Sequence, residues 1–177
     1  REWVDFDLQA EQLAEQLTIG GLEVDSVEPI PPTPPGIVVA EVLDTQPHPN
    51  AERLNLCTVT DGVKTHSVVC GAPNVSSGLK AAFAPVGSAL PDGREIKAIE
   101  LRGVASEGML CSAAELGLSD DAAGLLELDS DAPVGSSISE YLRLDDMILD
   151  IDLTPNRGDC FSVLGVAREA AALSGAL

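Results

Sequence analysis

The chain has 177 residues, 45% of them hydrophobic and only 3% aromatic, with 29 acidic residues against 10 basic ones and a net charge of −19. That is enough apolar material for a normal core of Leu, Val, Ile and Ala, and enough length for one large or two small domains. The charge excludes a strong sequence-independent grip on nucleic acid, which rests on Lys and Arg releasing counterions from phosphate, and no apolar run reaches the ~20 residues that span a bilayer.

In chain order, Arg1–Ala10 is acidic and carries no secretory leader pattern. Asp5 or Asp7 is a candidate N-cap for a helix whose apolar face is Ala10, Leu13, Ala14 and Leu17. Gly20-Gly21 ends that helix, and Leu22, Val24 and Val27 read as a short strand. Five prolines fall between Pro29 and Pro35, so residues 29–36 form a stiff spacer and the first domain boundary. Short strands follow at Ile37–Val42, Leu54–Thr60, Thr65–Cys70, Lys80–Val86, Ile96–Leu101 and Gly108–Ser112. Asp61-Gly62 is a hairpin signal and Pro91-Asp92-Gly93 a turn. Arg102–Ser112, punctuated by glycine and serine, predicts a tight β-loop-β corner. Ala113–Leu116 predicts a short helix stopped by Gly117. Met147–Leu153 alternates as a strand. After Thr154-Pro155-Asn156-Arg157, Asp159 or Ser162 caps a last helix with Leu164, Ala167, Ala171 and Ser174 near one face and Val163, Val166, Ala170 and Leu173 beside it. The fold class is therefore α+β: a β-barrel over residues 37–150, inserted into a small split domain of residues 1–36 and 151–177 whose two helices pack together.

Several residues invite chemistry. Asp150 and Asp152 share a strand face and, with Asp145 and Asp146, would suit a divalent cation in an acidic metal-dependent hydrolase. A solvated strand face is the favoured reading, since no EF-hand spacing or His partner accompanies them. His48 lies between prolines, in a loop near the surface, and His66 lies mid-strand with no identifiable partner, so neither is assigned catalysis. Cys57, Cys70, Cys111 and Cys160 form no C-x-x-C pair, which argues against zinc. Three read as buried thiols and Cys160 as partly exposed. Arg157 is read as a structural residue between domains.

Four breaker-rich segments occur in one order: Pro47-His48-Pro49-Asn50-Ala51-Glu52-Arg53-Leu54, Val69-Cys70-Gly71-Ala72-Pro73-Asn74-Val75, Arg102–Ser112, and Thr154-Pro155-Asn156-Arg157-Gly158-Asp159-Cys160. Together they resemble the N-terminal part of the β subunit of bacterial phenylalanyl-tRNA synthetases over essentially the whole chain. The resemblance implies that residues 37–150 are a tRNA-binding OB-fold domain, with Asn50, Arg53, Asn74, Arg102 and Ser106 as the polar set for tRNA. Turn-building is the favoured role for Asn50 and Ser106, while Arg53 and Arg102 stand evenly between phosphate contact and structure. It also implies a cytoplasmic parent that uses ATP and magnesium to charge tRNA(Phe) as an α2β2 assembly with the synthetase α subunit. In that parent this piece is non-catalytic, holds no cofactor or metal, and has no membrane or DNA partner. The missing initial Met and the terminal helical run are expected of a piece of a longer chain. Seven basic against eighteen acidic residues in 37–150 favour scaffolding over RNA contact. A stand-alone OB-type tRNA-binding module is the alternative.

Overall fold

The computed structural model describes residues 3–30 and 35–176, and divides the chain into two compact units, Arg1–Ile30 with Asp146–Leu177, and Pro31–Asp145. Half of the proline spacer, residues 31–34, lies outside the described residues.

In the first unit, helix α1 (Ala10–Ile19) starts after Gln9, not after an aspartate. The Gln9 amide donates to Gln12 Oε1 at 3.0 Å, so a glutamine three residues on supplies the oxygen that Asp5 or Asp7 was expected to give. The helix ends in a Schellman motif: Leu22 N–H reaches Leu17 O and Gly21 N–H reaches Thr18 O, with Gly21 at φ 91°. Leu17 and Leu22 thereby meet in the same buried cluster. Strand β1 (Glu23–Pro29) pairs antiparallel with β9 (Met147–Asp152), so β9 belongs wholly to this unit. A six-residue 3-10 helix (Pro155–Cys160) follows, and Ser162 Oγ accepts from Gly165 N to cap helix α3 (Val163–Ser174). The helices pack with Gly20 against Leu173. The buried face of α3 is Gly165, Val166, Ala170 and Leu173; Leu164 is exposed. Gly165 sets that register, because a Cβ there would stand 2.1 Å from Asp159 O.

Arg157 joins three parts of this one unit. It donates to Gly20 O at 2.9 Å, pairs with Glu169 at 3.0 Å, and touches Asp159 and Cys160 Sγ. A cation at a helix C-terminus offsets the unpaired carbonyls there. Cys160, only 2% exposed, is covered by this network, contrary to its expected partial exposure. Arg157→Ala should lower the melting temperature by several degrees. Asp159→Ala, which removes an exposed partner, should change it much less; equal losses in thermal melts would contradict the bridging role.

The second unit carries a five-stranded antiparallel sheet in the order β4-β3-β2-β5-β8, formed by β2 (Val38–His48), β3 (Ala51–Thr60), β4 (Thr65–Cys70), β5 (Lys80–Ala84) and β8 (Met109–Leu110). Strands β6 (Ile99–Leu101) and β7 (Val104–Ser106) form a separate hairpin, and α2 (Ile138–Tyr141) is one short turn of helix. Ala113–Leu116 is a turn, not a helix. The expected barrel does not close as a ladder. The outer edge of β4 instead meets β7 and the residue after it through irregular bonds: Glu107 N donates to Ser67 O, Ser67 Oγ to Ala105 O, and Val69 N to Ser106 Oγ. Those bonds cover an otherwise open edge.

The sheet is buried on both faces at its centre. Ile37, Val39, Ala82 and Ala84 pack under Leu90, Leu116 and Ile138, while Val42, Phe83, Cys57, Val59 and Val68 form the opposite cluster. This explains why β5 reads as a continuous apolar run instead of alternating. All four cysteines are free and buried, and burial pushes the Cys111 thiol up to about 12.

His66 does have a partner. Its Nε2 lies 2.7 Å from Asp61 Oδ2 across the β3–β4 hairpin, and its ring packs 4.8 Å from Phe83. Burial alone would raise the Asp61 carboxyl, but the Lys64 amide, the His66 ring and the Val63 amide outweigh it and hold it at about 2. A depressed carboxylate stabilises the fold above its unfolded value and loses that contribution as pH falls through its folded value. Stability should therefore drop by about 1–2 kcal/mol between roughly pH 4 and pH 2 through this group. Asp61→Asn should flatten that part of the curve in urea unfolding, and an unchanged slope would contradict it.

Candidate nucleic-acid interface

The β2–β3 connection and the β6–β7 hairpin meet at one corner of the second unit. The hairpin turn has two central residues, Arg102 at φ 49° and Gly103 at φ 86°, the pattern of a type I′ turn. A left-handed arginine costs about 1 kcal/mol, and its carbonyl is fixed by Asn50 Nδ2 at 3.0 Å. Asn50's own amide donates to His48 Nδ1 at 3.1 Å, which leaves His48 Nε2–H to donate to Leu101 O at 3.1 Å. His48, expected near the surface, is thus 5% exposed and links the two loops.

The five polar residues read from the sequence separate here. Asn50, Arg53 and Arg102 line one concave corner with Pro47, His48 and Leu54. Both guanidinium groups are on exposed residues, and neither forms an ion pair among the described residues. Ser106 is not at this surface: it is 3% exposed, accepts from Val69 N at 3.0 Å and donates to Gly108 O at 3.3 Å. Asn74 is also engaged elsewhere. Its Oδ1 accepts from Leu125 N and its Nδ2 donates to Leu125 O and Glu127 Oε1, so it acts as a strand-like clip between two loops. His48 was missed as part of this site; its place within the Pro47–Leu54 segment was the available signal.

The acidic set does not assemble a metal centre. Asp150 and Asp152 lie on the exposed face of β9, and among the described residues the one convergent group is Asp159, Cys160 and Glu169. Arg157 bonds all three and occupies their centre.

Residues 37–137 match the family described as "Putative tRNA binding domain". This chain belongs to that family. The tRNA-binding-family region contains the Asn50, Arg53 and Arg102 corner in full. Over 98% of its length the chain is also similar to curated proteins named phenylalanine–tRNA ligase β subunit: 55% identical to that of Legionella pneumophila (strain Lens), 53% to that of Hahella chejuensis and 51% to that of Dickeya dadantii. It spans 22% of the length of each. A MetRS-related protein from Pyrococcus horikoshii aligns at TM-score 0.43 and 20% identity, over 56% of this chain and 85% of that one. Among the described residues no helix is long and apolar enough to cross a membrane.

The corner allows stability and binding to be separated. Arg102→Gly removes a left-handed side chain and a guanidinium together. It should raise stability by about 0.5–1 kcal/mol while weakening any RNA contact; lower stability in chemical unfolding would contradict the strain at Arg102.

Proposed function

We propose that this chain is the tRNA-contacting, non-catalytic N-terminal part of a phenylalanine–tRNA ligase β subunit. The parent acts in the cytoplasm, in an α2β2 assembly with the synthetase α subunit, and charges tRNA(Phe). The OB-type domain, which ends by residue 145 because β9 pairs with β1 in the other unit, makes the RNA contact. The observation that carries the reading is the convergence of Asn50, Arg53 and Arg102 within a family region described as tRNA-binding. Two unpaired guanidiniums beside a fixed carbonyl suit a phosphate and its sugar. ATP and magnesium are needs of the parent enzyme and are assigned to its other parts.

One observation favours a second reading, scaffolding without RNA contact: residues 31–145 hold sixteen acidic residues against seven basic ones. Titrating tRNA(Phe) into the chain at low and rising salt separates the two. Micromolar binding that weakens with salt supports RNA contact. No binding at low salt leaves the scaffold.

A further inference from the structure

The basic corner adjoins a second cavity. Leu54 lines both, and Leu101, next to Arg102, lines the second, a trough of about 930 Å³ with Val69 and Met109 in its apolar wall. Its polar groups are few. Arg94 is paired with Asp92 across the rim. Glu115 is half-buried and turns one carboxylate oxygen, Oε2, to the Ser112 amide at 2.7 Å and to its hydroxyl at 2.9 Å. Its other oxygen, Oε1, has no hydrogen bond among the described residues. Asp92 is taken up by Arg94, so a largely apolar cavity is left with one carboxylate oxygen open, which is a small-ligand site in form.

Charge selects the ligand. This unit is acidic overall, so phosphate is favoured only beside its exposed cations, and Arg53 and Arg102 are the ones that stand next to the trough. A neutral base pays no such penalty, and an unpaired base can leave its stack to occupy a protein pocket. Resting on the RNA-contact reading above, we infer that the trough holds one unpaired, amino-bearing nucleobase of an RNA whose phosphate lies at the Arg53 and Arg102 corner, and that Glu115 accepts from the amino group. The carboxylate discriminates by sign: the 4-amino group of cytosine donates to it, whereas the 4-oxo group of uracil turns lone pairs toward it.

The test uses three RNA hairpins that differ at one bulged position, cytidine, uridine or an abasic site, each titrated against the whole chain. The cytidine hairpin should bind about tenfold tighter than either of the others. Glu115→Gln should reverse the cytidine-to-uridine preference with the salt slope unchanged, because the carboxamide oxygen stays on the Ser112 amide and the NH2 group, a donor only, turns to the base. Ala123→Trp, at an exposed residue that lines the trough and not the corner, should remove the preference and leave abasic binding as it was. Equal binding of all three hairpins, still lost in Arg53→Gln plus Arg102→Gln, overturns the base pocket and leaves the corner standing. A cytidine preference that survives both trough variants also overturns it. Failure of every hairpin and of tRNA(Phe) to bind at low salt overturns the corner reading and the pocket with it.

Discussion

Gly108→Ala should destabilise the second unit by about 3–5 kcal/mol, a large part of the ~5–15 kcal/mol that holds a typical domain folded. At this position the chain passes directly over a core aromatic. A Cβ would stand 2.5 Å from Cε2 and Cζ of Phe83 and 2.9 Å from Ala84 O, at a backbone φ of 133°. Neither neighbour can yield cheaply. Phe83 is fully buried, pairs with Val38 and Leu110 on either side, and packs on His66. Moving Gly108 outward instead pulls on Ser106, whose hydroxyl bridges Val69 N and Gly108 O at the sheet's seam. The control is Gly87→Ala: φ is 94° but nothing lies within 4 Å, so only backbone strain of about 1 kcal/mol is expected. Urea unfolding of both variants decides it; similar midpoints would mean that the close approach over Phe83 carries no weight.

Arg53→Gln plus Arg102→Gln should weaken tRNA binding on the order of tenfold to a hundredfold, without a matching loss of stability. The side chains are exposed, so their removal leaves no buried group unpaired. Each guanidinium that neutralises a phosphate contributes about 0.7–0.9 to the slope of log affinity against log salt. The double variant should therefore flatten that slope by roughly 1.4–1.8. Glutamine is the informative replacement, because glutamate would add repulsion to an already acidic surface and exaggerate the loss. An unchanged slope would show that these arginines contact no phosphate.

Much of the fold was readable because local signals agreed with tertiary need. Thr65–Cys70 is a strand at the residues the β-branched pattern marked, and Asp61-Gly62 turns its hairpin. Leu13, Ala14 and Leu17 face the core as their spacing implied. The misreadings have physical causes. Ala113–Leu116 begins a helical turn, but Ser112 and Glu115 bond to each other and Gly117 stops it before a second turn forms. His48 looked exposed because prolines flank it, yet it is drawn inward by Leu101 O, a partner 53 residues away. Asn74 and Ser106 enter the polar set because the family resemblance groups them with Asn50; the structural role favoured for Ser106 has its partner in Val69, and Asn74 has Leu125, residues that only the folded sheet brings near. Single-sequence patterns contain no such long-range pairing, so they could name the polar set without separating its structural members from its surface ones.

The most direct test of the corner is an amide chemical-shift titration of the 15N-labelled chain with tRNA(Phe). The account predicts perturbations concentrated at residues 47–54 and 101–103, with the Arg53 and Arg102 side-chain Nε signals among the largest, and little change at Asn74 or Ser106. Perturbations confined to the split flanking unit, or centred on Asn74 with the corner silent, would contradict it.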